Sequence, residues 1–444
     1  MCHSCSGAAF ATATPAPRTA LPLKPVTPMT PALLTGLFLS LLITTTAFKL
    51  WLSLRQSQHV AAARDRVPAD FEQRISLAAH HKAADYTRAR TRLGRVDIVI
   101  GALWVLALTL GGALQWLHDA WLTPFDAGTL AHGTAFLSST AVLGWAIELP
   151  LSLYRTFVTE ARFGFNKMTP ALYLTDTLKS AALGAAIGIP VIALVLWMMD
   201  ALGGHWWWAV WLFWMGFNLL ALLIWPTFIA PLFNTFSPLQ DASLRTRIEA
   251  LLQRCGFRSS GLFVMDGSRR SGHGNAYFTG FGSSKRIVFF DTLLETLTPD
   301  EVEAVLAHEL GHFHRRHVVK RLLVMAAGML ALLWGLDQLL GAGWFYAGLG
   351  AQSQSTAMAL ALFVFALPVF TFFLSPVMSA WSRKHEFEAD AYAVAHTGPD
   401  ALASALVKLY RDNAATLTPD PLYSRFYDSH PPAAIRINHL RGAH

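Results

Sequence analysis

Residues 206–229 read WWWAVWLFWMGFNLLALLIWPTFI and contain no Asp, Glu, Lys or Arg. As an α-helix this stretch is about 36 Å long, which exceeds the ~30 Å of hydrocarbon in a bilayer. The rest of the chain points the same way, because its 444 residues are 53% hydrophobic and only 14% charged, against about 25% charged in typical soluble domains. A water-soluble protein cannot bury that much apolar surface, so we expect a membrane protein.

Six further apolar stretches are long enough to cross a bilayer. The seven predicted spans are 32–53, 97–117, 134–154, 178–199, 206–229, 321–342 and 357–379. The third is interrupted by Glu148 and Pro150, and the sixth contains Asp337. An acid inside a span is expected to face a protein interior or a wet cavity, unless it lies near a helix end.

Basic residues alternate between successive loops. Loop 54–95 holds nine Lys and Arg against four acids, and loop 155–177 holds Arg155, Arg162 and Lys167. Three other connecting segments hold neither Lys nor Arg: 118–133, 200–205 and 343–356. The positive-inside rule places the basic loops in the cytoplasm, together with segment 230–320 and the C-terminal tail.

The charge and the cysteines exclude some classes of function. A net charge of +7 is expected for a membrane protein with basic cytoplasmic loops, and no base-reading motif points to a nucleic-acid partner. Cys2, Cys5 and Cys255 form neither a disulfide framework nor a paired zinc motif. Residues 1–30 lack the apolar core of a signal peptide, so we interpret them as a disordered leader or a mis-called translation start. This leaves a membrane domain over 31–235 and a second domain over 236–444.

The second domain contains the motif His308-Glu309-Leu310-Gly311-His312. Thr298-Pro299-Asp300-Glu301 predicts the start of its helix, with a capping box at Thr298 and Glu301. Residues i and i+4 share one helical face, so His308 and His312 can bind one metal ion. Glu309 is rotated by about 100° and can act as general base on a zinc-bound water. Chance gives roughly 0.04 such motifs in a chain of this composition, so two surface histidines are the weaker interpretation.

A catalytic zinc needs a third protein ligand, and residues 382–390, which follow the last span, offer candidates. Glu386 and Asp390 lie four residues apart on a predicted helix, so one carboxylate can bind zinc while the other orients a ligand histidine. Spacing alone leaves Glu388 and His385 open as ligands. We interpret His314 and His317 as part of a cationic helix end at the membrane interface.

Three strand-like runs precede the metal-binding helix: Leu262–Met265, Ala276–Phe281 and Ile287–Phe290. An extended substrate commonly pairs with a strand edge beside the zinc of a metalloprotease, so Asn275 and Ala276 are candidate substrate-binding residues. An ordinary small sheet that supports the helix explains the same residues equally well.

Several motifs resemble those of the type I CAAX prenyl endopeptidases, a family of integral-membrane zinc proteases. They run in collinear order from about residue 55 to 440: Phe163–Lys167, Ile229–Asn234, Asn275–Phe278, Lys285–Val288, Asp291–Leu294, Ser382-Arg383 with Glu386-Phe387 and Ala389-Asp390, and Ser429–Pro432 with Arg436. The resemblance implies a mainly α fold, in which seven transmembrane helices enclose a chamber and a cytosolic zinc-metalloprotease domain carries a small β-sheet.

The resemblance also implies roles for individual residues. Glu386 becomes the third ligand of one zinc ion per chain, and Asp390 orients a ligand histidine. His430 and Arg436 reach back to contact the substrate or the oxyanion, and Asn275 holds the substrate backbone.

The function implied is cleavage of protein or peptide substrates, prenylated ones included, by removal of the last three residues after a prenylated Cys. Two alternatives remain open on the same zinc site: a quality-control protease for membrane proteins, and a factor that clears translocation channels. A transporter is disfavoured, because no pattern in the spans explains the zinc constellation. The composition of the loops favours a bacterial inner membrane.

Overall fold

The computed structural model describes residues 29–279 and 286–442, so residues 1–28 of the predicted leader lie outside the described residues. The helices are α1 (Pro31–Ala62), α2 (Leu77–Leu108), α3 (Ala113–Ala120), α4 (Leu130–Tyr154), α5 (Pro170–Ala201), α6 (Trp206–Ile224), α7 (Ala242–Arg254), α8 (Asp291–Thr296), α9 (Pro299–His314), α10 (His317–Leu340), α11 (Gly343–Gly348), α12 (Thr356–Thr371), α13 (Ser375–Thr397), α14 (Pro399–Asp412), α15 (Pro421–Tyr427) and α16 (Ala433–Gly442). The strands are β1 (Phe236–Pro238), β2 (Gly261–Met265), β3 (Ala276–Thr279) and β4 (Arg286–Phe290).

Within the described ranges, six helical segments are long and apolar enough to cross a membrane, and a bent pair of helices makes up to seven. The six are Pro31–Ala62, Leu130–Glu160, Pro170–Ala201, Gly203–Leu232, His317–Leu340 and Thr356–Thr397. The bent pair is α2 with α3. This confirms the prediction of a polytopic membrane protein.

The second predicted span, 97–117, is wrong as a single helix. α2 ends at Leu108 and α3 begins at Ala113, and the two helices are bent by 55°. The cause is local: Gly112 has a φ of +75°, a left-handed conformation that favours glycine, and the N–H of Gly111 donates to the carbonyl of Leu106, five residues back.

The basic segment 54–95 is mostly helical rather than a loop. α1 continues nine residues past the predicted span end at 53, and α2 begins at Leu77 behind the N-cap Ser76, so only residues 63–76 connect them. Hydropathy marks the lipid-embedded part of a helix only, because polar turns that extend into water carry no apolar signal.

Three helices begin with Thr followed by Pro, at Thr30, Thr169 and Thr298. Pro is favoured at the first helical position, where its missing N–H has no intrahelical partner to lose. At the third of these helices, α9, the N–H of Thr298 donates to Glu301 over 2.7 Å, and the predicted capping box is confirmed.

The four strands form one sheet in the order β1-β2-β4-β3. β2 and β4 are parallel, and the two outer pairs are antiparallel. β3 is therefore an edge strand, and β1 is a strand that the sequence did not predict. Val302, Leu306 and Leu310 on one face of α9 belong to the hydrophobic core that the sheet forms with the surrounding helices.

Glu148 and Asp337, the two acids inside predicted spans, each contact a polar group of another residue. Glu148 lies 3.3 Å from Arg155, and Asp337 accepts a hydrogen bond of 2.6 Å from the indole of Trp206. A third contact joins the two halves of the chain, because Arg270 before β3 bonds Asp176 on α5 over 2.8 Å and also reaches Asn234.

Candidate metal centre

The two histidines of the motif lie one helical turn apart on α9 and point the same ring nitrogen at each other. His308 Nε2 and His312 Nε2 are 3.2 Å apart. His308 is 7% exposed, so its surroundings are largely protein.

Glu386 on α13 completes a group of three. Its carboxylate lies 3.5 Å from His308 Nε2 and 3.5 Å from His312 Nε2, and the three donor atoms lie within 4.8 Å of one another. Gly311 permits this approach of the two helices, because an added Cβ would meet Ala389 Cα at 2.9 Å. Glu388 and His385, the other two ligand candidates, are not in this group.

The donor set fits a catalytic zinc. Ligands about 2.0–2.1 Å from zinc at tetrahedral angles lie about 3.3 Å from one another, close to the separations of 3.2 and 3.5 Å found here. Glu386 Oε2 is buried without a hydrogen-bond partner, and a buried polar atom in that state needs an explanation. Two histidines and a glutamate are one of the ligand sets that catalytic zinc uses.

Asp390 fixes the orientation of His308. Its carboxylate accepts from His308 Nδ1 over 2.8 Å and from two nitrogens of Arg436 over 2.6 and 2.7 Å. As a metal ligand, His308 would keep its proton on Nδ1, where Asp390 accepts it, and would offer Nε2, which faces His312. Arg436 is 5% exposed, and its guanidinium is therefore held by Asp390 inside the site.

Glu309 is half-buried beside these residues, and none of the described residues forms a hydrogen bond with its carboxylate. Burial raises its pKa, and the nearby Glu386 carboxylate adds to this against the opposing charges of His308 and Arg436. A carboxylate with a raised pKa is a better proton acceptor near neutral pH. Burial and the neighbouring His308 lower the pKa of His312 to about 3, so this histidine is neutral, as a metal ligand must be.

His430 reaches the site from the segment between α15 and α16. Its Nε2 lies 3.5 Å from Glu386 Oε1, and its side chain is 63% exposed. This histidine is therefore close to the three candidate metal ligands and also accessible to a bound molecule.

Asn275 and Ala276 lie at the start of the edge strand β3. The carbonyl of Asn275 accepts from the N–H of Phe290 on β4, and its side chain accepts from the N–H of Ala276. Phe278 on the same strand packs edge-on against Phe313, which follows His312. The strand thus lies next to the C-terminal end of α9, which carries His308 and His312 and is called the metal end below.

His317 is the residue that sequence reasoning missed. We expected it only to form part of a cationic helix end at the membrane interface; His317 does begin α10, but it is 2% exposed. Its ring bonds His312 Nδ1 over 2.9 Å and Glu388 over 3.0 Å. His314 is exposed and lies against the ring of Tyr392. The only sequence signal for His317 is that it follows His312 by five residues, and residues five apart do not lie on the same face of a helix.

Comparison with known proteins matches both halves of the chain. Residues 56–235 match the family model described as CAAX prenyl protease N-terminal, five membrane helices, and residues 238–444 match the model of Peptidase family M48. CAAX prenyl protease 1 of Saccharomyces cerevisiae is 34% identical over 424 residues, which cover 89% of this chain and 92% of the yeast protein. The CAAX prenyl protease 1 homolog of Arabidopsis thaliana is 32% identical over 404 residues, which cover 89% and 94%.

A solved structure has the same architecture. The crystal structure of S. mikatae Ste24p superposes with a TM-score of 0.84 at 33% identity, and the match covers 92% of this chain and 98% of that chain. The likeness confirms the expected fold, a chamber of membrane helices joined to a catalytic domain with a small sheet.

Proposed function

The chain belongs to the CAAX prenyl protease 1 family of membrane M48 metalloendopeptidases, and we propose that it uses one zinc ion to cleave prenylated proteins near their C-terminus. The observation that carries the zinc assignment is the convergence of His308, His312 and Glu386 within 4.8 Å. The names of the relatives, CAAX prenyl protease 1 and its homologs, support the substrate class.

The chemistry follows from the residues around this group. Zinc held by the three ligands would polarise a substrate carbonyl and lower the pKa of a water molecule toward about 7. Glu309 accepts the proton of the attacking water and returns it to the leaving amine, a role that its raised pKa favours. His430, accessible and 3.5 Å from Glu386, donates to the oxyanion as negative charge develops there.

Arg436 acts on the same charge from a more buried position. Its guanidinium is bound to Asp390 and lies 3.6 Å from Glu386, which keeps a permanent positive charge close to the reacting carbonyl. We assign Arg436 to stabilisation of the oxyanion by its charge, and Asp390 to orientation of His308.

Among the described residues, no strand pairs with the edge of β3 that points away from β4, and this edge is the proposed substrate ledge. The other edge of this strand is already paired with β4, from Ala276 opposite Phe289 to Thr279 opposite Arg286. An extended peptide that adds to the open edge would form main-chain hydrogen bonds at Ala276, would meet the side chain of Asn275 beside it, and would run past the metal end of α9.

We place the catalytic site on the cytoplasmic side of the membrane. The support is the alternation of basic and uncharged connections along the chain. The relatives named above are eukaryotic, so a bacterial inner membrane remains a prediction from loop composition.

Purified protein in detergent, given a farnesylated CAAX peptide and the same peptide without the farnesyl group, tests the proposal. We expect the farnesylated peptide to be cleaved after the modified cysteine, the unmodified peptide to be cleaved at least about tenfold more slowly, and a zinc chelator to abolish both reactions.

Equal cleavage of both peptides would contradict the substrate class and would favour a general quality-control protease. Full activity in chelator, with zinc removal verified by elemental analysis, would contradict the metal mechanism itself.

A further inference from the structure

We propose that His317 and Glu388 form a hydrogen-bonded pair that fixes the tautomer and ring orientation of the metal ligand His312. This inference rests on the proposed zinc site. It assigns His317 and Glu388 as positioning residues, since each acts on the metal only through His312.

The position of His317 follows from the turn between α9 and α10. Arg316 adopts a left-handed conformation, with a φ of +55°, which a non-glycine residue rarely adopts. This turn ends α9 and starts α10 at His317, so the first side chain of α10 returns to the metal end of α9. The result is a contact between His317 Nδ1 and His312 Nδ1 of 2.9 Å.

The Glu388 carboxylate determines which group donates in the hydrogen bonds between Glu388, His317 and His312. Glu388 is an ionised acceptor beside Lys320, 3.8 Å away, so His317 Nε2 carries the proton and donates to Glu388 over 3.0 Å. Nδ1 of a neutral His317 is then an acceptor, and His312 Nδ1 donates to it. His312 Nε2 is left unprotonated, and this is the atom that faces His308 and Glu386.

The ring of His317 is also held in place by its surroundings. It is 2% exposed, and it stacks on the ring of His385 with centroids 4.0 Å apart and planes 13° apart. Trp381 packs edge-on against His385 from the same helix. A histidine that served only as part of a cationic helix end would need neither of these contacts.

The arrangement gives both ligand histidines a carboxylate anchor. His308 Nδ1 donates directly to Asp390, whereas His312 reaches Glu388 through the ring of His317. Partners of this kind typically change metal affinity by about 10–100-fold when they are removed.

Zinc affinity of the purified full chain, measured by competition with a chelator, tests the pair in two matched sets of variants. His317→Phe removes the acceptor, whereas His317→Asn keeps an amide oxygen close to the position of Nδ1. Glu388→Ala removes the carboxylate that accepts from His317 Nε2, whereas Glu388→Gln keeps an amide oxygen that can accept this hydrogen bond. The control is His314→Ala, which removes an exposed histidine from the same end of α9.

We expect His317→Phe and Glu388→Ala to weaken zinc binding by about 10–100-fold, while His317→Asn, Glu388→Gln and His314→Ala stay within about threefold of wild type. If His317→Phe does not fold, as judged by gel filtration and thermal unfolding, the Glu388 pair gives the same comparison.

Zinc affinity in His317→Phe and Glu388→Ala equal to that of His314→Ala would overturn the inference, and so would equal losses in His317→Phe and His317→Asn. His312→Ala separates this failure from a failure of the zinc site. If His312→Ala abolishes zinc binding while the His317 and Glu388 variants do not, only the positioning role is wrong.

Discussion

Glu301 lies in the first turn of α9 and accepts hydrogen bonds of 2.7 Å from each of three groups: the N–H of Thr298, the hydroxyl of Ser404 and the ammonium of Lys408. Burial alone would raise its pKa, but these bonds outweigh burial and hold the pKa below its usual value. The ionised carboxylate therefore anchors the start of the helix that carries His308 and His312.

This shift predicts a dependence of stability on pH. Because the pKa of Glu301 is lower in the folded chain than in the unfolded chain, its contribution is complete above the unfolded pKa of about 4.3 and is lost as the pH falls through the folded pKa. We expect Glu301→Gln to have a lower thermal midpoint than wild type at about pH 7, and the difference to shrink toward about pH 3.5. A difference that stays constant over this range would contradict the assignment.

Single residues also show what the sequence could and could not predict at the site. The helix start at Thr298, the pairing of His308 with His312 and the common face of Glu386 and Asp390 all follow from helical spacing. The hydrogen bond from His312 to His317 could not be predicted, because a left-handed turn at Arg316 separates the two residues and no periodic pattern in the sequence indicates such a turn.

At the scale of elements, the site depends on how closely α9 and α13 approach each other. An added Cβ at Gly311 would lie 2.9 Å from Ala389 Cα, 3.0 Å from its carbonyl oxygen and 3.0 Å from Tyr392 Cβ. Backbone atoms cannot move aside as a flexible side chain can, so the helices would have to separate. Glu386 and the two histidines lie on these same helices, so their separation would change as well.

Gly311→Ala should therefore lower both the stability and the zinc content. Overpacking of this kind costs about 1–3 kcal/mol, which exceeds the helix propensity that alanine adds. Gly328→Ala on α10 is the matched control, because an added Cβ there meets nothing within 4 Å. Thermal unfolding and the zinc content per chain measure the effect. If Gly311→Ala equals Gly328→Ala in both, the close approach of α9 and α13 does not depend on Gly311.

The elements themselves were predicted unevenly. Three of the four strands follow from β-branched and aromatic runs between turn residues, but β1 has three residues and ends at Pro238, which gives no strand signal. The apolar stretches gave the membrane helices. They could not show that α1 and α2 continue beyond the predicted spans, or that the second span breaks at Gly111 and Gly112.

At the scale of the whole molecule, the orientation in the membrane remains a prediction. Segment 54–95 holds nine basic residues, whereas 118–133, 200–205 and 343–356 hold none. The membrane potential and anionic lipids favour basic segments on the cytoplasmic side. If the bent pair α2 and α3 crosses the membrane once, an even number of crossings separates segment 54–95 from the catalytic domain and from the C-terminal tail, and both are then predicted on the cytoplasmic side.

Reporter fusions test this orientation directly. A reporter that functions only in the cytoplasm should be active when it is fused after the C-terminus and inactive when it is fused after Leu202, between α5 and α6. The opposite pattern at these two positions would overturn the topology and with it the cytoplasmic placement of the site.

The central claim, that Glu309 is the general base of a zinc site formed by His308, His312 and Glu386, is tested most directly by Glu309→Gln. Zinc per chain and peptide cleavage are measured on the same preparation, with the exposed Glu295→Gln as the matched control. We predict one zinc per chain in wild type, Glu309→Gln and Glu295→Gln. Cleavage should fall by about a hundredfold to ten-thousandfold in Glu309→Gln alone. Cleavage by Glu309→Gln within a few-fold of wild type, with zinc retained, would contradict the account.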